Sequence, residues 1–110
     1  MKELRAHVRK MMREPAVLSH AKGGAGAPVV VLDISLRGLC FATSEVLESG
    51  SICYLWFCLP GSPTRHQTVV QIVHSSTAGV PSGFRVGAMF TEIAPESIEQ
   101  IMDFVSKSAL

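Results

Sequence analysis

From Pro15 onward the chain alternates short apolar segments with turn-forming residues. The apolar segments are "PAVLSHA", "PVVVLDIS", "GLCFAT", "ICYLWFCL", "TVVQIVHS" and "FRVGAMF", and "KGGAGA", "SGS", "PGSPT" and "AGVPSG" punctuate them. Six segments joined by linkers too short for crossover helices predict an antiparallel barrel or sandwich, with "KGGAGA" as a hairpin loop. In "GFRVGAMF" a period of two puts Phe84, Val86, Ala88 and Phe90 on one face and Arg85, Gly87 and Met89 on the other, a strand with one wet side. The same alternation in "PVVVLDIS" groups Val30, Leu32 and Ile34 inward. Asp33 and Ser35 then project together from the outside of the barrel, and Gly38 follows as the permissive residue of a tight turn. The last segment changes period. "APESIEQIMDFVSK" spaces Ile98, Ile101, Met102 and Val105 for one face of a helix, with Pro95 in its first turn, Glu96 and Glu99 near its start and Lys107 at its end.

At 110 residues the chain is one domain long, and no repeat or linker divides it. Hydrophobic residues at 47% against 17% charged exclude a disordered chain. The net charge of +1 conceals a cluster: Lys2, Arg5, Arg9, Lys10 and Arg13 face only Glu3 in the first thirteen residues. Residues 1–14 therefore read as a flexible basic arm suited to an anion, and residues 15–110 as the barrel with its helix. Cys40, Cys53 and Cys58 form no CxxC pair and follow no cleavable signal pattern, which predicts small core residues in a reduced, cytoplasmic protein. The longest apolar runs fall far short of the about 20 residues that span a bilayer, so no membrane insertion is expected.

Candidate chemistry is concentrated in two places. Arg5 and Arg9 stand four apart; on a helix they share a face, and on an extended or bent chain they clasp one ligand from two sides. In either case their guanidinium forks can engage phosphate or a purine edge. Taken alone, a solvated basic terminus is the commoner meaning of such a pair, and Asp33 and Ser35 beside a turn commonly bond nearby backbone amides. The remaining features call for no special chemistry. His7, His20, His66 and His74 lack metal-ligand spacing, and His74 falls in phase with Val70 and Ile72 as a strand residue. Trp56 shares a face with Ile52 and Tyr54 and is assigned to core or helix packing in preference to purine stacking. Arg37 is a turn-tip arginine, and Met11 and Met12 are expected as exposed residues of a partner surface. No general base, nucleophile or metal constellation points to an enzyme.

"RAHVR" followed by "DISLRG" resembles the PilZ domain family, the bacterial receptors for cyclic di-GMP, whose signature is RxxxR followed by [DN]xSxxG. The resemblance implies a mainly β fold: a six-stranded antiparallel barrel with a C-terminal α-helix. It also implies a ligand-binding set. Arg5 and Arg9 would grip phosphate oxygens and a guanine edge from the arm, and Asp33 would accept from the guanine N1–H and exocyclic amino group. Ser35 would bond phosphate or guanine, and Gly38 would let the chain turn close to the ligand. The chemistry agrees, since guanine O6 and N7 suit arginine and its donor edge suits a carboxylate. Leu4 departs from the family, many members of which carry a basic residue before the first motif arginine. An Arg9–Arg13 pairing also meets the spacing but runs into the first strand, so Arg5 and Arg9 are favoured. What the resemblance implies is a non-catalytic cyclic di-GMP effector without other cofactor, coupling the second messenger to a protein partner in motility, pili, exopolysaccharide or virulence. The alternative is a PilZ-like adaptor that binds protein and not nucleotide. A barrel for nucleic-acid polymers would need a wider basic surface and more aromatic residues than 6%.

Overall fold

The computed structural model describes residues 8–77 and 82–107. Its strands are β1 (Lys10–His20), β2 (Ala27–Ile34), β3 (Gly38–Thr43), β4 (Ile52–Cys58), β5 (Arg65–Ser76) and β6 (Phe84–Glu92), followed by α1 (Pro95–Lys107). Each strand pairs antiparallel with its neighbours, and the sheet closes in the order β1-β2-β3-β6-β5-β4, so the barrel is realised and the sandwich is not. In the β1–β2 loop Gly23 and Gly24 adopt positive φ, the left-handed backbone that a tight hairpin requires.

β1 begins at Lys10 and takes in residues 10–14, which the sequence pattern placed in the arm. Pro15 lies inside this strand. It is tolerated because β1 pairs with β4 only from Val17 to His20, leaving Pro15 with a single neighbour, Val30 of β2. Met12, expected on the surface, packs into the core, while Met11 beside it is 73% exposed.

Irregularities in the ladder decide which residues face inward. Between Val31 and Asp33 the β2–β3 register slips by one, with Leu32 as the extra residue. Val29 and Val31 point into the core before the bulge and Ile34 after it, which corrects the expected set of Val30, Leu32 and Ile34. A second slip between Ile72 and His74 makes Val73 the extra residue of β5, so His74 leaves the phase of Val70 and Ile72 and is exposed. An unbroken alternation cannot anticipate either switch, because a bulge moves every later side chain to the other face.

The core joins Leu18, Val31, Ile34, Leu39, Phe41, Leu55, Phe57, Val70, Ile72 and Val86 with Ile101 and Val105 of α1. The helix buries Ser97, Ile101 and Val105 and half-buries Phe104, while Met102, expected inward, is 40% exposed. Two strands hold it. The Ser97 hydroxyl lies 2.7 Å from His66 Nδ1 of β5, and Lys10 Nζ of β1 sits 4.1 Å above the Phe104 ring while donating to the Phe104 carbonyl at 3.3 Å. A cation on the last turn suits the negative end of the helix dipole. Trp56 is on the outer face of β4 beside half-exposed Tyr54, ring centroids 6.1 Å apart, and not in the core. Of the cysteines Cys53 is buried, whereas Cys40 and Cys58 are half-buried.

Candidate functional site

The bulge at Leu32 creates the site. It turns Ile34 into the core and leaves Asp33 on the outer face, yet the Asp33 side chain is only 4% exposed. A carboxylate removed from water requires charge compensation, and here two guanidinium groups supply it. Arg9 Nη1 donates to Asp33 Oδ1 at 2.5 Å, and Arg85 Nη2 donates to Oδ2 at 3.0 Å. Each carboxylate oxygen thus has one arginine.

Strand register extends this cluster into a surface. Met11 of β1, Asp33 of β2, Cys40 of β3, Gly87 of β6 and His74 of β5 are successive partners, one row across five strands. The neighbouring outward row carries Val30, Ala42, Arg85 and Ser76. Cys40, Ala42 and Gly87 are small, so between Asp33 and His74 the sheet forms a low floor bordered by charge. His74 depends on the glycine: a Cβ on Gly87 would stand 3.2 Å from the imidazole Cε1 and Nδ1. The Cys40 thiol is pushed above its ordinary pKa, chiefly by burial and then by the Asp33 charge beside it, and so remains protonated at neutral pH.

Ser35 and Gly38 occupy the turn after β2. Ser35 N donates to the Gly38 carbonyl at 2.8 Å, and the Ser35 hydroxyl accepts from Arg37 N at 3.2 Å and donates to the Gly38 carbonyl at 3.4 Å. Of the two motif residues, Ser35 therefore makes the local backbone bonds common beside turns, and Asp33 does not. Neither projects freely into solvent: both residues are 3% exposed. Gly38 does not use the left-handed backbone expected of a turn glycine. Its requirement is proximity, since a Cβ there would lie 2.0 Å from the Ala88 carbonyl oxygen and 2.8 Å from Met89 Cα. Arg37 is exposed at the turn tip, and Arg13 is an exposed residue of β1.

Of the residues anticipated from sequence, Arg9 and Asp33 meet, Ser35 and Gly38 shape the adjoining turn, and Arg5 lies outside the described residues. The alternation of "FRVGAMF" placed Arg85 and Gly87 on the wet face, but only the β3–β6 register brings them to Asp33 and Cys40. A cleft of about 1100 Å³ lined by His20, Lys22, Glu48, Ser49 and Ile52 contains none of these residues and no buried charge. Among the described residues no three His, Cys, Asp or Glu side chains gather as a metal site would require, and no helix is long and apolar enough to cross a membrane.

The family model for the PilZ domain matches residues 3–107. The chain belongs to the PilZ domain family. PilZ domains are regulatory receptor or adaptor domains, and solved structures repeat the barrel described above. The Bacillus subtilis inhibitor of motility, MotI/DgrA, superposes with a TM-score of 0.81 at 13% identity over 93% of this chain and 49% of that one, so the present chain spans about half its length. The PilZ domain of CeSA from a cellulose-synthesizing bacterium gives 0.65 at 16% identity, covering 93% and 98% of the two chains. The Borreliella burgdorferi PlzA protein in complex with cyclic di-GMP gives 0.58 at 17% identity, covering 96% of this PilZ chain and 38% of PlzA. At these identities the likeness is one of fold. No curated protein sequence matches the chain.

Proposed function

We propose that this PilZ domain is a cyclic di-GMP effector that couples the dinucleotide to a protein partner, without catalysis. The observation that carries the reading is the Asp33 carboxylate, buried at the edge of an open floor with one arginine on each of its oxygens. A guanidinium presents two parallel N–H donors to a carboxylate, and guanine presents the same pair through N1–H and its amino group. Where a single guanine edge could supply both N–H donors, two arginines supply them to Asp33, one to each oxygen. Ligand binding exchanges donors on it, and the displaced arginine becomes available to phosphate or to guanine O6 and N7. Arg5, one helical turn before Arg9 in sequence, adds a second guanidinium to the two phosphates. Ser35 keeps the turn beneath them closed and can turn its hydroxyl toward ligand, and Gly38 keeps that turn tight against β6. The release of Arg9 then changes the surface offered to a partner beside β1. Structures of a motility inhibitor and of a cyclic di-GMP complex on the same fold support this reading, and three free cysteines fit a bacterial cytoplasm.

The second reading, an adaptor that binds protein alone, is favoured by the same two arginines: the Asp33 charge is compensated without any ligand. Calorimetric titration of cyclic di-GMP separates the two. The effector binds saturably and ignores GTP, and Arg9→Ala or Asp33→Ala weakens binding at least about tenfold, the equivalent of ~1.4 kcal/mol. A folded protein that gives no binding heat is the adaptor.

A further inference from the structure

The two arginines on Asp33 are not equivalent. The Arg9 side chain is 51% exposed and sits just before β1. Arg85 is 33% exposed and lies within β6, its backbone flanked by Ala42 of β3 and Ser76 of β5. Arg9 lies outside the strand ladder, and Arg85 is built into the barrel wall. Guanine, moreover, is neutral. Were both guanidinium groups to leave when it arrives, a carboxylate with 4% of its side chain exposed would be buried against an uncharged edge, which is strongly unfavourable. A carboxylate offers about four acceptor positions, so Arg85 can keep its bond to Oδ2 while guanine takes the Arg9 position on Oδ1 and a further acceptor position.

Resting on the effector reading, we infer that Arg85 is the positioning residue of the guanine site. It stays on Asp33 Oδ2, keeps the carboxylate charge compensated, and thereby lets a neutral base replace Arg9. Arg85 acts through Asp33 and not on phosphate, so it governs the choice of base. Cyclic di-AMP tests this directly, because adenine lacks the N1–H that the carboxylate accepts while the phosphates are unchanged.

The experiment measures the affinity of the full chain for cyclic di-GMP and cyclic di-AMP, in the wild type and in Arg85→Ala, Arg85→Lys, Asp33→Ala and the Asp33→Ala/Arg85→Ala double variant. Arg85→Ala is expected to weaken cyclic di-GMP binding about tenfold and to erode its preference over cyclic di-AMP by the same factor, leaving cyclic di-AMP binding within about twofold of wild type. Arg85→Lys, which restores the charge without the planar fork, recovers part of the preference. In the Asp33→Ala background removal of Arg85 adds less than about twofold, the non-additivity expected of residues that act as a unit. Arg85→Gln replaces the alanine variant if that one does not fold, with the same loss of preference expected. The inference is overturned if Arg85→Ala leaves cyclic di-GMP binding unchanged, if both dinucleotides weaken equally, or if the loss persists in full without Asp33. A wild-type protein that binds neither dinucleotide would remove the effector reading and this one together. Wild-type binding with an indifferent Arg85 would remove this one alone.

Discussion

Gly38 and Asp33 flank one short turn and answer to different constraints. Asp33 is held by charge, and Gly38 by the backbone of β6. A methyl group at position 38 would overlap the Ala88 carbonyl, a rigid neighbour that can give only if β3 and β6 separate. Gly38→Ala is therefore expected to lower stability by about 1–3 kcal/mol, the usual range for overpacking, read as a fall in the denaturant midpoint without a change in slope. A midpoint within error of wild type would show that the strands part easily. Asp33 and Arg9 were legible in the sequence because their motifs are local and specific in residue type. Arg85 was not, since its meeting with Asp33 spans 52 residues and depends on how the bulged β2–β3 ladder lines up with the regular β3–β6 ladder. Gly38 was recognised as necessary for the wrong physical reason, because a close approach from a distant strand leaves no local trace.

Elements were easier to anticipate than faces. Six strands and a C-terminal helix follow from turn residues and a change of period, and the described residues contain both. The inward sets of β2 and α1 did not follow. Leu32 bulges within an unbroken apolar run, and the helix turns Ser97 inward where an apolar stripe alone would exclude it. Ser97 is inward because β5 presents His66 to it, a buried imidazole 5.3 Å from the Phe57 ring. Burial lowers the pKa of His66, and the Gln100 side chain opposes this only in part. The unfolded chain, with an ordinary value of about 6.5, then takes up a proton that the folded chain resists. Stability is full above that pH and declines as the pH drops below it toward the lower folded value. Thermal melts between pH 8 and 5 should show a loss on acidification that His66→Leu flattens. An equally steep loss in that variant would assign the effect to other groups.

For the whole molecule, α1 completes the core and does not merely decorate it: Ile101 is fully buried and Val105 nearly so, among residues contributed by the strands. Barrel and helix should accordingly unfold as one unit. Fluorescence of Trp56 on the outer wall of β4 and far-ultraviolet circular dichroism are expected to give coincident urea transitions. An earlier loss of helical signal would mark α1 as a separable latch. Closure of the sheet bears on recognition as well. A ring of strands has no member open along its whole length; on its β4 side β1 is unpaired before Val17, and there Pro15 offers no amide to a foreign strand. On the effector reading a partner therefore meets mainly side chains, and a few displaced arginines are then enough to rewrite the message.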